Sequence, residues 1–186
     1  MRVIIPMTGN GLRFKNDGYT KLKPFIKIHD KPMIYWVCKM FPNEEIELIL
    51  REHHTKNHKY ILTDLKRYCS NVKLHVVKSW KKLGPVNDVY QIIKNDSNSD
   101  EPILISYCDF YAQWDINKFK RLIHHHKPDG VIPCYTGFHP HLLHPENLYA
   151  TCKSDSKYNL IEIREKHQTN KTVSYTHLRA HETLRY

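Results

Sequence analysis

Thr8, Gly9, Asn10, Gly11, Arg13, Lys23 and Asp109 are the residues of this 186-residue chain best suited to chemistry, and what they suit is the handling of phosphate. Two glycines in a turn directly after a strand permit positive φ. They also let backbone N–H groups approach phosphate oxygens with no Cβ in the way. Arg13 adds a planar charged fork that matches phosphate geometry. Two familiar phosphate loops fit less well. The dinucleotide-binding fingerprint needs a third glycine where this chain has Phe14, and the P-loop needs Gly-Lys-Ser/Thr, which is absent. Taken alone, a G-x-G turn is as readily structural as functional. Asp109, in Ser106-Tyr107-Cys108-Asp109-Phe110, closes an apolar segment. A carboxylate there is costly unless it is paired or binds a cation, although a turn or a helix cap would also use one.

Secondary structure must bring these residues together. Arg2 to Pro6 predicts a short β-branched strand running into the glycine turn. A polar loop then extends to about Lys23. Pro32 predicts the first position of a helix continuing from Met33 to Phe41. Glu47 to Leu50 reads as a second strand. His54 to Cys69 reads as a helix, with Tyr60, Ile61, Leu65 and Tyr68 at helical spacing. Val72 to Val77 predicts a third strand, Val86 to Ile93 a helix, and Ile103 to Tyr107 a fourth, fully buried strand. Ile116 to His126 predicts a helix that Asp115 caps, and Gly130 to Tyr135 a fifth strand. The pattern then loosens, with one more strand expected at Tyr158 to Ile163. Strands alternating with helices predict an α/β fold, a Rossmann-like, mostly parallel sheet with helices on both faces. Ligands of such sheets sit at the carboxyl ends of the strands, which would gather the glycine loop, Gly84 and Asp109 along one edge.

Composition narrows the field. The longest apolar runs are strand-length, far short of the roughly 20 residues of a membrane span, and the N-terminus lacks a signal-peptide h-region. A cytoplasmic protein is expected. Five cysteines without a C-x-x-C pair argue against a disulfide framework or a zinc ribbon. The net charge of +10 is spread along the chain rather than run into a stripe, so it reads as solvated surface and not as a nucleic-acid footprint. Three successive histidines, His124 to His126, end a helix and cannot all face one ion. His139, His141 and His144 share a loop, but no Cys or carboxylate at matching spacing supports zinc there.

The longer context of the glycine loop is more specific. Ile4-Ile5-Pro6-Met7-Thr8-Gly9-Asn10-Gly11-Leu12-Arg13-Phe14 is followed by Gly18-Tyr19, then by Lys23-Pro24-Phe25-Ile26 and Lys31-Pro32-Met33-Ile34. This order and spacing resemble the opening of the sugar-1-phosphate nucleotidyltransferases, the nucleoside-diphosphate-sugar pyrophosphorylases. Leu22 stands where the family usually has proline, and Asp30 where it usually has glycine. Both should be tolerated, Asp30 because aspartate accepts the left-handed region. The resemblance implies the nucleotide-diphospho-sugar transferase fold, a nucleoside triphosphate and a sugar-1-phosphate as substrates, and Mg²⁺ as the metal. It implies that Thr8, Gly9, Asn10 and Gly11 hold the nucleotide with Arg13, that Gly84 lines the base pocket, and that Lys23 neutralises phosphate charge. It also implies that Asp109 binds the metal and that Glu165 and Lys166 meet the sugar phosphate. It covers roughly residues 2–170, and the family's second metal carboxylate lies further on, so a C-terminally incomplete domain over residues 1–172 is expected. Residues 173–186 resemble translated sequencing adapter and are set apart as a non-native tail. Rival readings are an inactive or purely nucleotide-binding fragment and a glycosyltransferase on a similar sheet. The latter usually carries D-x-D, where this chain has Tyr111 two residues after Asp109.

Overall fold

Strand β1 (Arg2–Pro6) lies inside a four-stranded parallel sheet, flanked by β4 (Glu45–Arg51) on one side and β6 (Ile103–Ile105) on the other, with β5 (Val72–Val77) beyond β4. The computed structural model describes residues 1–69, 71–78, 84–95, 101–134 and 150–165. It divides into two compact units, Met1–Gln113 and Trp114–Tyr186. Between β1 and β4 the first unit carries a short helix α1 (Leu12–Asn16), a 3₁₀ turn at Lys23–Phe25, a hairpin of β2 (Lys27–Ile28) and β3 (Lys31–Pro32), and helix α2 (Met33–Lys39). Helices α3 (Glu52–Asn57) and α4 (Tyr60–Tyr68) join β4 to β5, and α5 (Pro85–Ile93) lies between β5 and β6.

Strand order β5-β4-β1-β6 means that the chain steps outward from β1 to β5 and then returns past β1 to β6. The reversal leaves a crevice at the carboxyl ends of β1 and β6, where ligands of open α/β sheets bind. Register fixes which residues share a face. Ile4 of β1 and Ile49 of β4 pack with Val89 of α5 in one core cluster, joined by Val77, Ile92, Ile93 and Ile103. Val3, Ile5, Leu48 and Leu50 alternate to the other face and are fully buried, as are Ile34 and Val37 of α2 and Ile61 of α4. Each such side chain contributes about 1.5–3 kcal/mol by leaving water.

Alternation also buries Glu47 completely, on the Ile49 face. Arg2 Nε donates to it at 2.6 Å, the His75 ring bonds its other oxygen, and Lys73 lies 3.6 Å away. Burial alone would raise this carboxyl. The hydrogen bonds from Arg2 and His75 and the charges of Arg2 and Lys73 outweigh that and hold it below the usual range.

Both positions that differ from the resembled pattern, Leu22 and Asp30, have a local explanation. Leu22 takes φ −60° and ψ 144°, the course a proline would follow, and is buried. Unlike proline it has an N–H, which donates to Tyr60 Oη at 2.9 Å. His29 and Asp30 both have positive φ, 47° and 61°, as the two-residue turn of the β2–β3 hairpin requires.

Several expectations need correction. The segment from His54 to Cys69 is two helices, because His58 leaves helical geometry at φ −132°. Pro32 does not begin α2 but caps it, with ψ at 149°. Strand β6 is neither as long nor as buried as expected. It is the edge of the described sheet, and Ile105 is 54% exposed. Residues 130–133 form no strand, and Cys134 makes only an isolated bridge.

In the second unit α6 (Ile116–His126) begins where the Asp115 carboxylate accepts from the N–H groups of Asn117 and Lys118, both at 3.0 Å. The expected late strand is β8 (Leu160–Glu165), which pairs antiparallel with an unanticipated β7 (Ala150–Ser154). His139, His141 and His144 lie outside the described residues. No described helix is long and apolar enough to cross a membrane.

Candidate functional site

The glycine loop leaves β1 at a fixed height in the sheet, because Met7 N donates to Ile49 O at 2.8 Å. Thr8 is buried, Gly9 and Arg13 are exposed and Asn10 is half-buried. Gly11 caps α1 in the left-handed region, φ 59° and ψ 35°, and Lys15 N donates back to its carbonyl at 3.1 Å. An added Cβ at Gly11 would stand 3.5 Å from the Lys23 Cβ, an ordinary van der Waals contact, so the loop runs alongside the lysine. Gly11→Ala should therefore destabilise through the backbone rather than through a clash, by about 1 kcal/mol. Gly11→Asn should cost less, and denaturant midpoints of the two variants measure the difference.

Lys23 is held by its backbone. It follows Leu22, whose N–H is fixed by Tyr60, and precedes Pro24 and Phe25, both buried. Phe25 meets the Tyr60 ring edge-on at 5.8 Å. The side chain is thereby aimed along the loop. Its Nζ sits 5.0 Å over the ring of Phe14, which in turn meets Tyr19 edge-on at 5.6 Å.

Asp109 reaches the same place from the other strand. Ser106 N continues the β6 ladder onto Ile4 O at 3.1 Å, and the chain then turns through Cys108 and Asp109. Asp109 Oδ2 forms an ion pair with Lys23 Nζ, each side chain being 28% exposed. Two residues 86 positions apart thus meet at the crevice between β1 and β6. Burial, followed by the neighbouring Asp109 carboxylate, pushes the Cys108 thiol up to about 12 against the opposing charge of Lys23. This thiol stays protonated at neutral pH.

Gly84 caps α5 with φ 92°, a conformation that needs glycine, and a Cβ there would meet nothing within 4 Å. It opens the helix that packs on β1. Of the residues expected at the sugar phosphate, Glu165 ends β8 in the second unit and Lys166 lies outside the described residues.

Asp109 supplies a hard oxygen donor of the kind Mg²⁺ takes, and among the described residues no group of three or more His, Cys, Asp and Glu gathers as a complete cage. One carboxylate beside the glycine loop fits a metal that draws its remaining ligands from bound oxygens and water.

Sequence reasoning missed three buried groups at or near the carboxyl edge. Among the described residues, Arg51 Nε, His54 Nδ1 and Asp88 Oδ2 have no hydrogen-bond partner, although Arg51 is 8% exposed and the other two 2%. No linear motif marks them; strand register and helix phase bury them. A shallow recess of about 510 Å³ on α4, lined by Leu62, Thr63, Lys66 and Arg67, contains none of the site residues.

No protein-family model matches the chain, and no curated protein matches it in sequence. Solved structures do match it in fold. A Bacillus anthracis protein assigned as a glucose-1-phosphate thymidylyltransferase, in complex with sucrose, superposes with a TM-score of 0.70 at 16% identity, over 97% of this chain and 69% of that one. A UDP-glucose pyrophosphorylase complexed with UDP-glucose gives 0.69 at 14% identity, over 96% and 73%. The nucleoside-diphosphate-sugar pyrophosphorylase of Vibrio cholerae RC9 gives 0.62 at 15%, over 98% and 75%. The parallel sheet, its strand order and these neighbours together give this chain the nucleotide-diphospho-sugar transferase fold.

Proposed function

We propose that this chain binds a nucleoside triphosphate and transfers its nucleoside monophosphate to a sugar-1-phosphate, releasing pyrophosphate. The observation that carries the reading is the meeting of Lys23 and Asp109 beside Gly11, at the crevice where the sheet order reverses. A lysine and a glycine turn gather anionic oxygens, and a carboxylate facing them suits a cation bridging those oxygens. In such transfers an oxygen of the sugar phosphate attacks the α-phosphorus and the bond to the β-phosphate breaks. Positioning and cationic groups supply most of the catalysis.

Each residue has a place in this scheme. Backbone N–H groups of the loop from Thr8 to Gly11 would cradle the phosphates, and the exposed Arg13 would close on them. Lys23 would neutralise charge as the α-phosphorus is attacked, and Gly84 would leave room for the base. Asp109 would hold Mg²⁺, whose chemistry is to neutralise phosphate charge. Glu165 and Lys166 would meet the sugar phosphate. The nucleotide sugar would serve synthesis of a surface polysaccharide such as capsule or lipopolysaccharide, from the cytoplasm.

Thermal unfolding of the chain with Mg²⁺ and each of ATP, GTP, CTP, UTP and dTTP tests the reading. A ligand that binds only the folded state raises the melting temperature by mass action. One nucleotide should raise it clearly, with the rise lost in Lys23→Ala and in Asp109→Ala. Equal melting with all five, and without any, would sink the nucleotide reading for this chain.

A further inference from the structure

We propose that Arg51 and His54 form a second anion site, at the foot of the glycine loop, that takes phosphate oxygens. Arg51 is the last residue of β4 and is 8% exposed, yet its Nε has no partner, and it makes no ion pair among the described residues. A buried guanidinium nitrogen without a described partner is among the costlier arrangements a fold can hold. Three residues on, His54 is 2% exposed with Nδ1 unpartnered. The ring of His53 stands 4.1 Å from that of His54.

The surroundings are of one sign. The charged neighbours that act on His54 are His53, Arg51, His58 and Lys15, and those that act on His53 are Arg51, Lys15 and His58. No acid is among them. Glu52, the nearest in sequence, is engaged by Lys56 at 3.0 Å, and Asp88 acts on neither histidine. Among the described residues, an anion is what this group lacks.

Register says which anion. Pro6 pairs with Ile49, so two residues further on Arg51 comes level with Thr8, where the glycine loop begins. Lys15 arrives from α1, the helix that the loop opens. A ligand at this spot needs several acceptor oxygens to meet a guanidinium and an imidazole at once, and phosphate offers them in a charge-assisted geometry. The terminal phosphates of a nucleotide and free orthophosphate share that chemistry. The inference needs none of the nucleotidyl-transfer reading.

Thermal unfolding at matched ionic strength in chloride, with orthophosphate, pyrophosphate or Mg²⁺-nucleotide added, tests it on wild type, Arg51→Met and His54→Gln. Phosphate-bearing ligand should raise the wild-type midpoint by about 2–4 °C beyond chloride. Arg51→Met should melt higher than wild type without ligand, because it removes an uncompensated charge, and should lose the rise. His54→Gln keeps the charge of Arg51 and should show a smaller rise than wild type. A rise with orthophosphate assigns the site to free phosphate. A rise only with pyrophosphate and nucleotide assigns it to the nucleotide's own phosphates. A rise that persists undiminished in Arg51→Met, or no rise in wild type with any of the three, overturns the proposal. A nucleotide shift that survives Arg51→Met but not Lys23→Ala would sink this site alone and leave the proposed function standing.

Discussion

Replacing Lys23 with alanine is expected to lower the rate of the proposed nucleotidyl transfer by about 10²–10³-fold, the usual loss when one preorganised group facing developing charge is removed. The expectation rests on geometry. Lys23 is placed by backbone contacts, its side chain lies over Phe14, and its ammonium already meets the carboxylate at the crevice. The fold should survive the change. A partly exposed ion pair contributes on the order of 1 kcal/mol or less, so the melting temperature should move little. Lys23→Arg should not restore full activity, because a planar fork is a poor substitute for a compact ammonium packed on a ring. Asp109→Ala should fall comparably, and the double variant should be far from additive, since the two groups act as a unit. Pyrophosphate release at saturating substrate measures all of this. A Lys23→Ala rate within tenfold of wild type would show that this lysine does not face the reacting phosphate.

Acidification should remove on the order of 3 kcal/mol of stability through a single buried histidine. Burial first, then the positive charges of His53, Arg51, His58 and Lys15, lowers His54 from 6.5 to about 4. The folded state therefore keeps this ring neutral, while the unfolded chain protonates it near 6.5. The contribution is complete above 6.5 and is lost as pH falls from there towards 4. Glu47 acts lower down. Its carboxyl is depressed in the fold, so its contribution is present above 4.5 and is lost as pH falls below that value. Denaturant unfolding at pH 7 and at pH 4.5 in phosphate-free buffer checks the first step. His54→Gln should flatten the slope between these values while leaving the more acidic loss in place. An unchanged slope in that variant would assign the effect to other groups.

How legible the molecule was depends on the kind of signal. Strand β1, the loop and the later α/β alternation were readable because β-branched runs and glycine turns are local. So was the Asp115 cap, which needs only its own next three residues. The sheet argument placed Asp109 beside the glycine loop and the family resemblance added Lys23, but their ion pair was not foreseen, since 86 residues separate them and no periodicity links them. Errors fell where tertiary position overrides pattern. Ile103 to Tyr107 is as apolar as a central strand, but β6 is an edge of the described sheet, so an isoleucine there faces out. Arg51 and His54 look like ordinary surface residues in sequence, and nothing short of the strand register shows that they are buried.

Leu22 carries a consequence for how this chain can change. Leu22 keeps a proline's backbone course and adds a donor, so the position depends on the hydroxyl of Tyr60. Leu22→Pro would leave that hydroxyl without its donor, and Tyr60→Phe would leave a buried N–H unsatisfied. Neither step is free alone, although both together leave neither group unsatisfied. Positions 22 and 60 are thus coupled through one hydrogen bond. Two substitutions must travel as a pair, and a survey of single variants would score each as harmful without revealing that the pair is permitted.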